Sequence, residues 1–130
     1  MKSVLLDTNN IIYFLNGDSR ILNLLENFKN VQFCISIITW IEALTGSLRH
    51  GKAIDEISWE INHFRRLPLN EFVGRVSAAI MQQKLLAGKK WKFQDNIIGA
   101  TAIAHNMPLV TANQKDFRGS KGLKIIAPKK

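Results

Sequence analysis

The sequence contains a single cysteine, Cys34, among its 130 residues. An internal disulfide is therefore impossible, and the chain is expected to work in a reducing, cytoplasmic setting. The three histidines, His50, His63 and His105, lie too far apart along the chain to suggest a zinc site. No stretch approaches the roughly 18 apolar residues that a membrane-spanning helix needs, and the first apolar stretch ends at Asp7. Secretion and membrane insertion are therefore not expected.

Acidic residues are also scarce, because ten of them stand against eighteen lysines and arginines and leave a formal net charge of +8. Such an excess favours a polyanionic partner such as nucleic acid or anionic lipid, although it also serves solubility. Two stretches carry basic residues and no acid, namely 72–94 and the segment after Asp116. Each adjoins a carboxylate, Asp95 or Asp116. The sequence therefore predicts an acidic centre with positive surroundings, which suits metal ions together with phosphate groups.

The order of apolar segments indicates the fold. Hydrophobic residues make up 46% of the sequence, enough for a core, so residues 1–130 are expected to form a single domain. Apolar runs typical of buried parallel strands alternate with stretches of helical periodicity. The runs are 4–6, 31–35 and 109–111, with 67–69 and 123–126 as short or edge strands. This alternation predicts an α/β fold of three layers, α/β/α, around a mainly parallel central sheet of four to five strands.

Helical periodicity predicts the elements that connect these strands. A polar helix is predicted over residues 53–66, and a later helix opens at Asp95. Three small residues of that later helix would let its backbone approach the sheet closely, namely Gly99, Ala100 and Ala102. Between these two helices, one apolar stripe marks a further helix: Phe72, Val76, Ile80 and Leu86. In sheets of this kind the ligand site lies beyond the carboxyl ends of the strands. That rule selects the acidic residues of interest.

Four of the ten acidic residues are expected near that edge. Asp7 directly follows the first strand, and Asp116 follows the 109–111 strand after a polar turn. Asp95 opens a helix that packs on the sheet, and Glu42 lies early in the helix after the second strand, among apolar neighbours. Singly, each acid has an ordinary explanation as a helix cap or a surface charge. Together they would repel one another unless metal ions bound between them.

The kind of metal follows from the donor atoms. Oxygen ligands without nearby histidine or cysteine suit hard ions such as Mg²⁺ or Mn²⁺. Such ions can activate water and stabilise both oxygens of an in-line phosphodiester displacement, so hydrolysis would need no protein nucleophile.

Two segments near the ends of the chain carry a specific signature. The first is LLDTN at 5–9; the second combines DNIIGATA at 95–102 with LVTANQKDF at 109–117, and Glu42 lies between them. In order and spacing they resemble the PIN-domain ribonucleases, particularly the toxin half of VapBC-type toxin–antitoxin modules. The resemblance covers nearly the whole chain, although the middle matches mainly in length and helical character. It departs from the family at Asn9-Asn10, where a Ser or another small residue often follows the first Asp-Thr.

The resemblance implies an endoribonuclease that uses Mg²⁺ or Mn²⁺, is commonly a homodimer, and is inhibited by an antitoxin protein encoded beside it. Asp7 and Asp95 would be the direct metal ligands, and Asp116 occupies a position where the family varies in metal contact. The whole catalytic set by matching positions is Asp7, Glu42, Asp95 and Asp116. Thr111 and Asn113 match positions that support the site by hydrogen bonding.

The basic segments next to the acidic centre are expected to bind the RNA backbone. The residues that would do so are Lys89, Lys90, Lys92 and Arg118. Trp91, between two of these lysines, is the tryptophan best placed for RNA contact.

Several alternatives stay open at this point. A phospho-accepting receiver domain needs adjacent acids after the first strand, and a dehalogenase-type phosphatase needs a second acid where Asn9 stands. A non-catalytic nucleic-acid-binding module is the stronger rival, because the charge alone supports it. Four acids weigh against it, since without metals they would weaken phosphate binding. A housekeeping PIN nuclease without an antitoxin is a further possibility, and the sequence does not select an RNA target.

Overall fold

Five parallel strands form the central sheet of the computed structural model, which describes residues 2–117 and 120–127. The strands are β1 (Lys2–Leu6), β2 (Val31–Ser36), β3 (Arg65–Leu67), β4 (Leu109–Val110) and β5 (Ile125–Ile126). They are arranged in the order β3-β2-β1-β4-β5, and all four pairings are parallel. The predicted α/β fold with a parallel sheet is therefore confirmed, and β1 lies at its centre.

Seven α-helices occur among these described residues. They are α1 (Thr8–Leu15), α2 (Ser19–Asn27), α3 (Ile37–Thr45), α4 (Ile54–Glu60), α5 (Glu71–Leu86), α6 (Phe93–Ala104) and α7 (Gln114–Phe117). Short 3₁₀ turns extend α3 through Gly46–His50 and α4 through Ile61–His63. Within 2–117 and 120–127, no helix is both long and apolar enough to cross a membrane.

Alternation along β1 explains why helices cover both faces of the sheet. Leu5 and Leu6 are adjacent and fully buried, but they belong to different hydrophobic clusters. Leu6 packs in the cluster of Ile11 from α1, whereas Leu5 packs in the cluster of Ile98 from α6. Successive strand residues point to opposite faces, so the central strand is apolar throughout its second half. The three-layer arrangement follows from this pattern.

The helix predicted over 53–66 was wrong in its second half. Helix α4 ends at Glu60, and Arg65–Leu67 form the edge strand β3, which pairs with β2. Phe64 and Leu67 are almost completely buried, so packing and ladder hydrogen bonds outweigh the local helical pattern. The edge strand consequently ends just before Pro68 instead of containing it.

The stripe predicted for α5 was wrong at Phe72 and Leu86, whereas Ile80 is buried and Val76 packs against the same core cluster. Phe72 and Leu86 are 59% and 84% exposed. The helix instead buries the face made by Val73, Ser77, Ile80 and Lys84. A polar and a charged residue thus occupy positions that apolar residues were expected to fill. The packing of α5 against α6 decides which face is buried.

The start of α6 differs from the prediction by two residues. The helix begins at Phe93, with Lys92 as its N-cap residue, so Asp95 lies in the first turn and does not cap it. The expectation that Gly99 permits a close backbone approach is also not met. A Cβ atom at Gly99 would lie 3.7 Å from side-chain carbons of Leu123 and Phe117, an ordinary van der Waals distance.

Gly99→Ala is therefore expected to stabilise the protein. Alanine exceeds glycine in helix propensity by about 1 kcal/mol in a helix interior, and the site has room for the methyl group. Urea unfolding should show a higher free energy of unfolding for the variant. Gly122→Ala is the control with the opposite sign, because Gly122 has φ +88°, which costs an alanine roughly 1–2 kcal/mol. A destabilised Gly99→Ala would mean that α6 packs too tightly for any side chain there.

Candidate active site

Asp7 lies where β1 ends, caps α1, and is held in place by hydrogen bonds on both carboxylate oxygens. Its Oδ1 accepts from the backbone N–H of Asn10 (3.0 Å) and from Nδ2 of the same residue (2.9 Å). Its Oδ2 accepts from the hydroxyl of Thr111. The Asn10 amide also donates to the backbone carbonyl of Val110 (2.8 Å), so it ties Asp7 to β4. Burial raises the pKa of Asp7, and the hydrogen bonds from Thr111 and Asn10 oppose that rise.

Asp116 is linked to Asp7 through two polar residues. The backbone N–H of Asn113 donates to the hydroxyl oxygen of Thr111 (3.0 Å), and Nδ2 of Asn113 donates to Oδ2 of Asp116 (2.5 Å). Thr111 in turn donates to Asp7. The loop after β4 therefore positions both carboxylates. Thr111 and Asn113 hydrogen-bond to Asp7 and Asp116, and their support of a catalytic site stays a prediction.

Glu42 projects from α3 and accepts a hydrogen bond from the hydroxyl of Thr8 (2.8 Å). The Thr8 hydroxyl lies 3.1 Å from that of Thr39, which accepts from the hydroxyl of Ser36 (3.3 Å). Because a carboxylate only accepts, the proton of Thr8 is committed to Glu42, and Thr39 donates to Thr8. Three hydroxyls thus form one directed chain that ends on Glu42.

Asp95 shows electrostatically that the four acids lie close together. Its pKa is raised first by burial, then by the negative charge of Asp116 and, more weakly, by Glu42 and Asp7. Among the surrounding groups, the Lys92 ammonium opposes the rise. All four carboxylates line one cavity of about 320 Å³, which we name the acidic cleft. Its wall is completed by Thr8, Asn9, Ile12, Lys92, Gln94, Ile98, Asn113 and Phe117.

The acidic cleft fits a hard divalent cation. Its donors are carboxylate oxygens, which hard cations prefer. The pKa values of Asp7 and Asp95 are raised because their negative charges are disfavoured, and a bound cation would stabilise those charges. In the described part of the chain, no three acidic, histidine or cysteine side chains converge into a complete metal-binding group. Mg²⁺ suits such an arrangement because it keeps several waters and takes only one or two carboxylates.

The basic residues predicted to bind RNA lie in two neighbouring places. Lys92 lines the acidic cleft, whereas Lys89 and Lys90 line an adjacent cavity of about 600 Å³. Trp91 is half-buried in the wall of that second cavity. Arg118 lies outside the described residues, so the structure does not bear on its predicted role.

The sequence interpretation did not identify several residues that position the site. Asn10 was noted only as a departure from the family, although it follows Asp7 by three residues, the spacing at which an N-cap carboxylate meets the helix backbone. Thr8 and Thr39 were not considered as partners of Glu42. Helical periodicity could have identified Lys84, because it follows Ile80 by four residues and therefore shares its buried face.

Comparisons with known proteins identify the fold. The family model described as PIN domain matches residues 4–120. A toxin–antitoxin complex from Klebsiella pneumoniae is 29% identical, with 98% of each chain covered and a TM-score of 0.80. FitAcB from Neisseria gonorrhoeae is 26% identical (95% of this chain, 96% of that chain, TM-score 0.79). VapBC2 from Rickettsia felis, solved with a bound fragment of its promoter DNA, has the same fold at 22% identity (98% of this chain, 99% of that chain, TM-score 0.85). No curated protein sequence matches the chain.

Asp95→Asn is expected to raise the melting temperature of the metal-free protein at neutral pH, because it removes a charge that burial and three neighbouring acids disfavour. The folded-state pKa of Asp95 is raised, so the wild type gains stability as the pH falls through that pKa toward the unfolded value near about 4. The higher stability of Asp95→Asn should therefore be greatest above the raised pKa of Asp95 in the wild type, and it should disappear at about pH 4. Thermal unfolding in EDTA as a function of pH measures it.

Asp18→Asn is the matched control with the opposite sign. Asp18 lies outside the acidic cleft, and hydrogen bonds from Arg20 lower its pKa to about 2. This carboxylate contributes stability above its unfolded pKa and loses it as the pH falls through about 2. The control should therefore melt below the wild type at neutral pH. If Asp95→Asn also melts below the wild type at every pH in EDTA, the four acids do not destabilise one another.

Proposed function

Because this chain belongs to the PIN domain family of nucleases, we propose that it is an endoribonuclease that hydrolyses RNA phosphodiester bonds with Mg²⁺ or Mn²⁺ in the cytoplasm. The single observation that carries the proposal is the convergence of Asp7, Glu42, Asp95 and Asp116 on one cleft. Neither a receiver domain nor a dehalogenase-type phosphatase accounts for four acids from four different helices or helix starts. The excess of positive charge around the cleft supports a polyanionic substrate.

Asp7 and Asp95 would hold the metal ion directly, and Glu42 and Asp116 would add negative charge and accept hydrogen bonds from its water molecules. When bound, the metal would lower the pKa of a water and stabilise the attacking and leaving oxygens of the phosphodiester. The residues of the chain fix the geometry around it. Thr111 and Asn10 leave the Asp7 carboxylate one orientation, and Thr8 limits that of Glu42.

Lysines beside the cleft are proposed to hold the RNA backbone. Lys92 lies in the wall of the cleft itself, and Lys89 and Lys90 extend the positive surface along the adjacent cavity. Their ammonium groups attract phosphates irrespective of base sequence, so they increase affinity without selecting a target. Arg118 is proposed to add to this surface.

Asp7→Asn and Asp95→Asn are each expected to reduce RNA cleavage by at least a hundredfold, because each removes a metal-binding charge. Purified wild type should cut total RNA in magnesium and lose this activity in excess EDTA. Asp18→Asn, which removes a carboxylate outside the cleft, should cut at the wild-type rate. Mapping the cut ends would give the sequence preference.

Three results would contradict this proposal. Undiminished cleavage in EDTA would rule out the metal mechanism. RNA binding without cleavage under any metal condition would instead support the non-catalytic nucleic-acid-binding module. Wild-type rates for both cleft variants would mean that the active site lies elsewhere.

We further propose that the chain is the toxin of a toxin–antitoxin pair, that it forms a homodimer, and that a small protein encoded beside it inhibits it. The similarity to the Klebsiella pneumoniae toxin–antitoxin complex over nearly the whole chain supports an antitoxin partner. Exposed apolar side chains along α3, α4 and their connection support a protein-covered surface: Ile41, Leu48, Ile54 and Trp59.

Induced expression of the wild-type chain in a bacterial host is expected to stop growth, whereas Asp7→Asn should not, since toxicity requires RNA cleavage. Co-expression of the neighbouring small protein should restore growth and yield a stoichiometric complex on co-purification. Equal growth with the wild type and Asp7→Asn, despite RNA cleavage in vitro, would favour a housekeeping nuclease.

A further inference from the structure

A second cavity of about 600 Å³ adjoins the acidic cleft, and we name it the basic pocket. The two cavities share Lys92, Asp95 and Asp116. The other residues that line the basic pocket are Lys84, Lys89, Lys90, Trp91 and Lys115. A chain molecule that lies in the acidic cleft can therefore continue into a space whose wall carries five lysines.

Lys84 differs from the other lysines because it is only 6% exposed. It lies on the buried face of α5, and its ammonium donates to Oδ1 of Asn96 in α6 (2.8 Å). In the described part of the chain this neutral amide is its one side-chain hydrogen-bond partner, and Lys84 forms no ion pair there. Asn96 is itself 1% exposed.

A buried ammonium whose direct hydrogen-bond partner is neutral costs stability, because the charge loses its hydration without gaining an ion pair at contact distance. Burial accordingly lowers the pKa of Lys84. The negative charges of Asp95 and Asp116, which line the same pocket, oppose this lowering. Core packing does not require the charge, since an unbranched apolar side chain would fill the same path. An anionic ligand that binds at this position would give the Lys84 ammonium a negatively charged partner in direct contact.

We propose that the basic pocket is a subsite for the RNA phosphate next to the cleaved one, and that Lys84 anchors that phosphate. The inference rests on the proposed nuclease function and goes further by giving the substrate a second contact point. Lys84 suits this role better than the exposed Lys89 and Lys90, because Asn96 already holds its side chain and little conformational entropy is lost on binding. Trp91 supplies an apolar surface on which the attached base can stack.

The first test measures binding of a labelled ten-nucleotide single-stranded RNA in EDTA, where no cleavage is expected, over a range of salt concentrations. Lys84→Met should weaken binding about tenfold at low salt, the effect of one lost charged hydrogen bond. The slope of log K against log salt should become shallower by about 0.7, the value for one phosphate contact on a single strand. Lys29→Met is the control, since it removes the same charge from an exposed turn outside the basic pocket.

Lys84→Arg separates a charge effect from damage to the fold. Arginine keeps the positive charge but changes the packing, so it should restore most of the affinity that Lys84→Met loses. If both variants bind RNA as weakly as each other, Lys84 supports the structure and anchors no phosphate. If Lys84→Met binds like Lys29→Met, the basic pocket does not hold a phosphate through this residue.

A second test uses the wild-type protein alone, so it does not depend on the folding of any variant. RNA substrates carry one neutral methylphosphonate linkage on one side or the other of the cleaved bond. The proposal expects about a tenfold rise in KM for one side only. Equal KM values on both sides would overturn it.

The outcomes distinguish the subsite from the nuclease function. If the protein cleaves RNA and neither binding nor cleavage depends on Lys84, the nuclease function is supported and the subsite is contradicted. If RNA binding depends on Lys84 but no cleavage occurs, the phosphate site is supported and the nuclease function is contradicted. Inorganic phosphate is added as a competitor: displacement of RNA at low millimolar phosphate would identify a site for free phosphate and overturn the assignment to an RNA subsite.

Discussion

Four negative charges share one cleft at the carboxyl edge of the sheet, and the repulsion among them is the constraint on which the rest of the site depends. The carboxylates come from four different places in the fold: the residue after β1, the interior of α3, the first turn of α6 and the short α7. Left to themselves, such side chains would turn away from one another or take up protons. The structure prevents the first outcome by giving three of them a hydrogen-bond partner.

All of those partners are neutral. Asp7 is held by Thr111 and Asn10, and Glu42 by the hydroxyl of Thr8. A lysine or arginine in any of these places would hold the carboxylate more strongly, but it would also cancel the charge. Hydroxyls and amides fix the orientation and leave the negative potential intact for a cation. The positive side chains lie at the margin instead, where Lys92 and the basic pocket can attract phosphate.

The sequence predicted the parts of this arrangement that depend on local patterns. Asp7 and Ser36 each follow an apolar run and accept a backbone N–H of the next helix, so the strand ends and helix starts were readable. The buried face of α5 was only partly readable: the predicted stripe contained the buried Ile80, but Phe72 fits an apolar stripe as well as the buried Val73 does. Only the contact with α6 selects between them. Likewise, the hydrogen bond from Thr8 to Glu42 joins residues that lie 34 positions apart in two different helices. A local sequence pattern cannot predict such a contact.

The central position of β1 has a consequence for when the acidic cleft can form during synthesis. Asp7 is synthesised well before its partner Thr111, which lies 104 positions later in the chain. Strand β4, which β1 needs on its second side, belongs to the same late segment. A chain emerging from the ribosome therefore carries Asp7 and Glu42 long before Asp95, Thr111 and Asp116 can join them. The acidic cleft is completed only after Asp116 has been synthesised, so the part of the chain that carries Asp7 and Glu42 cannot form the cleft by itself.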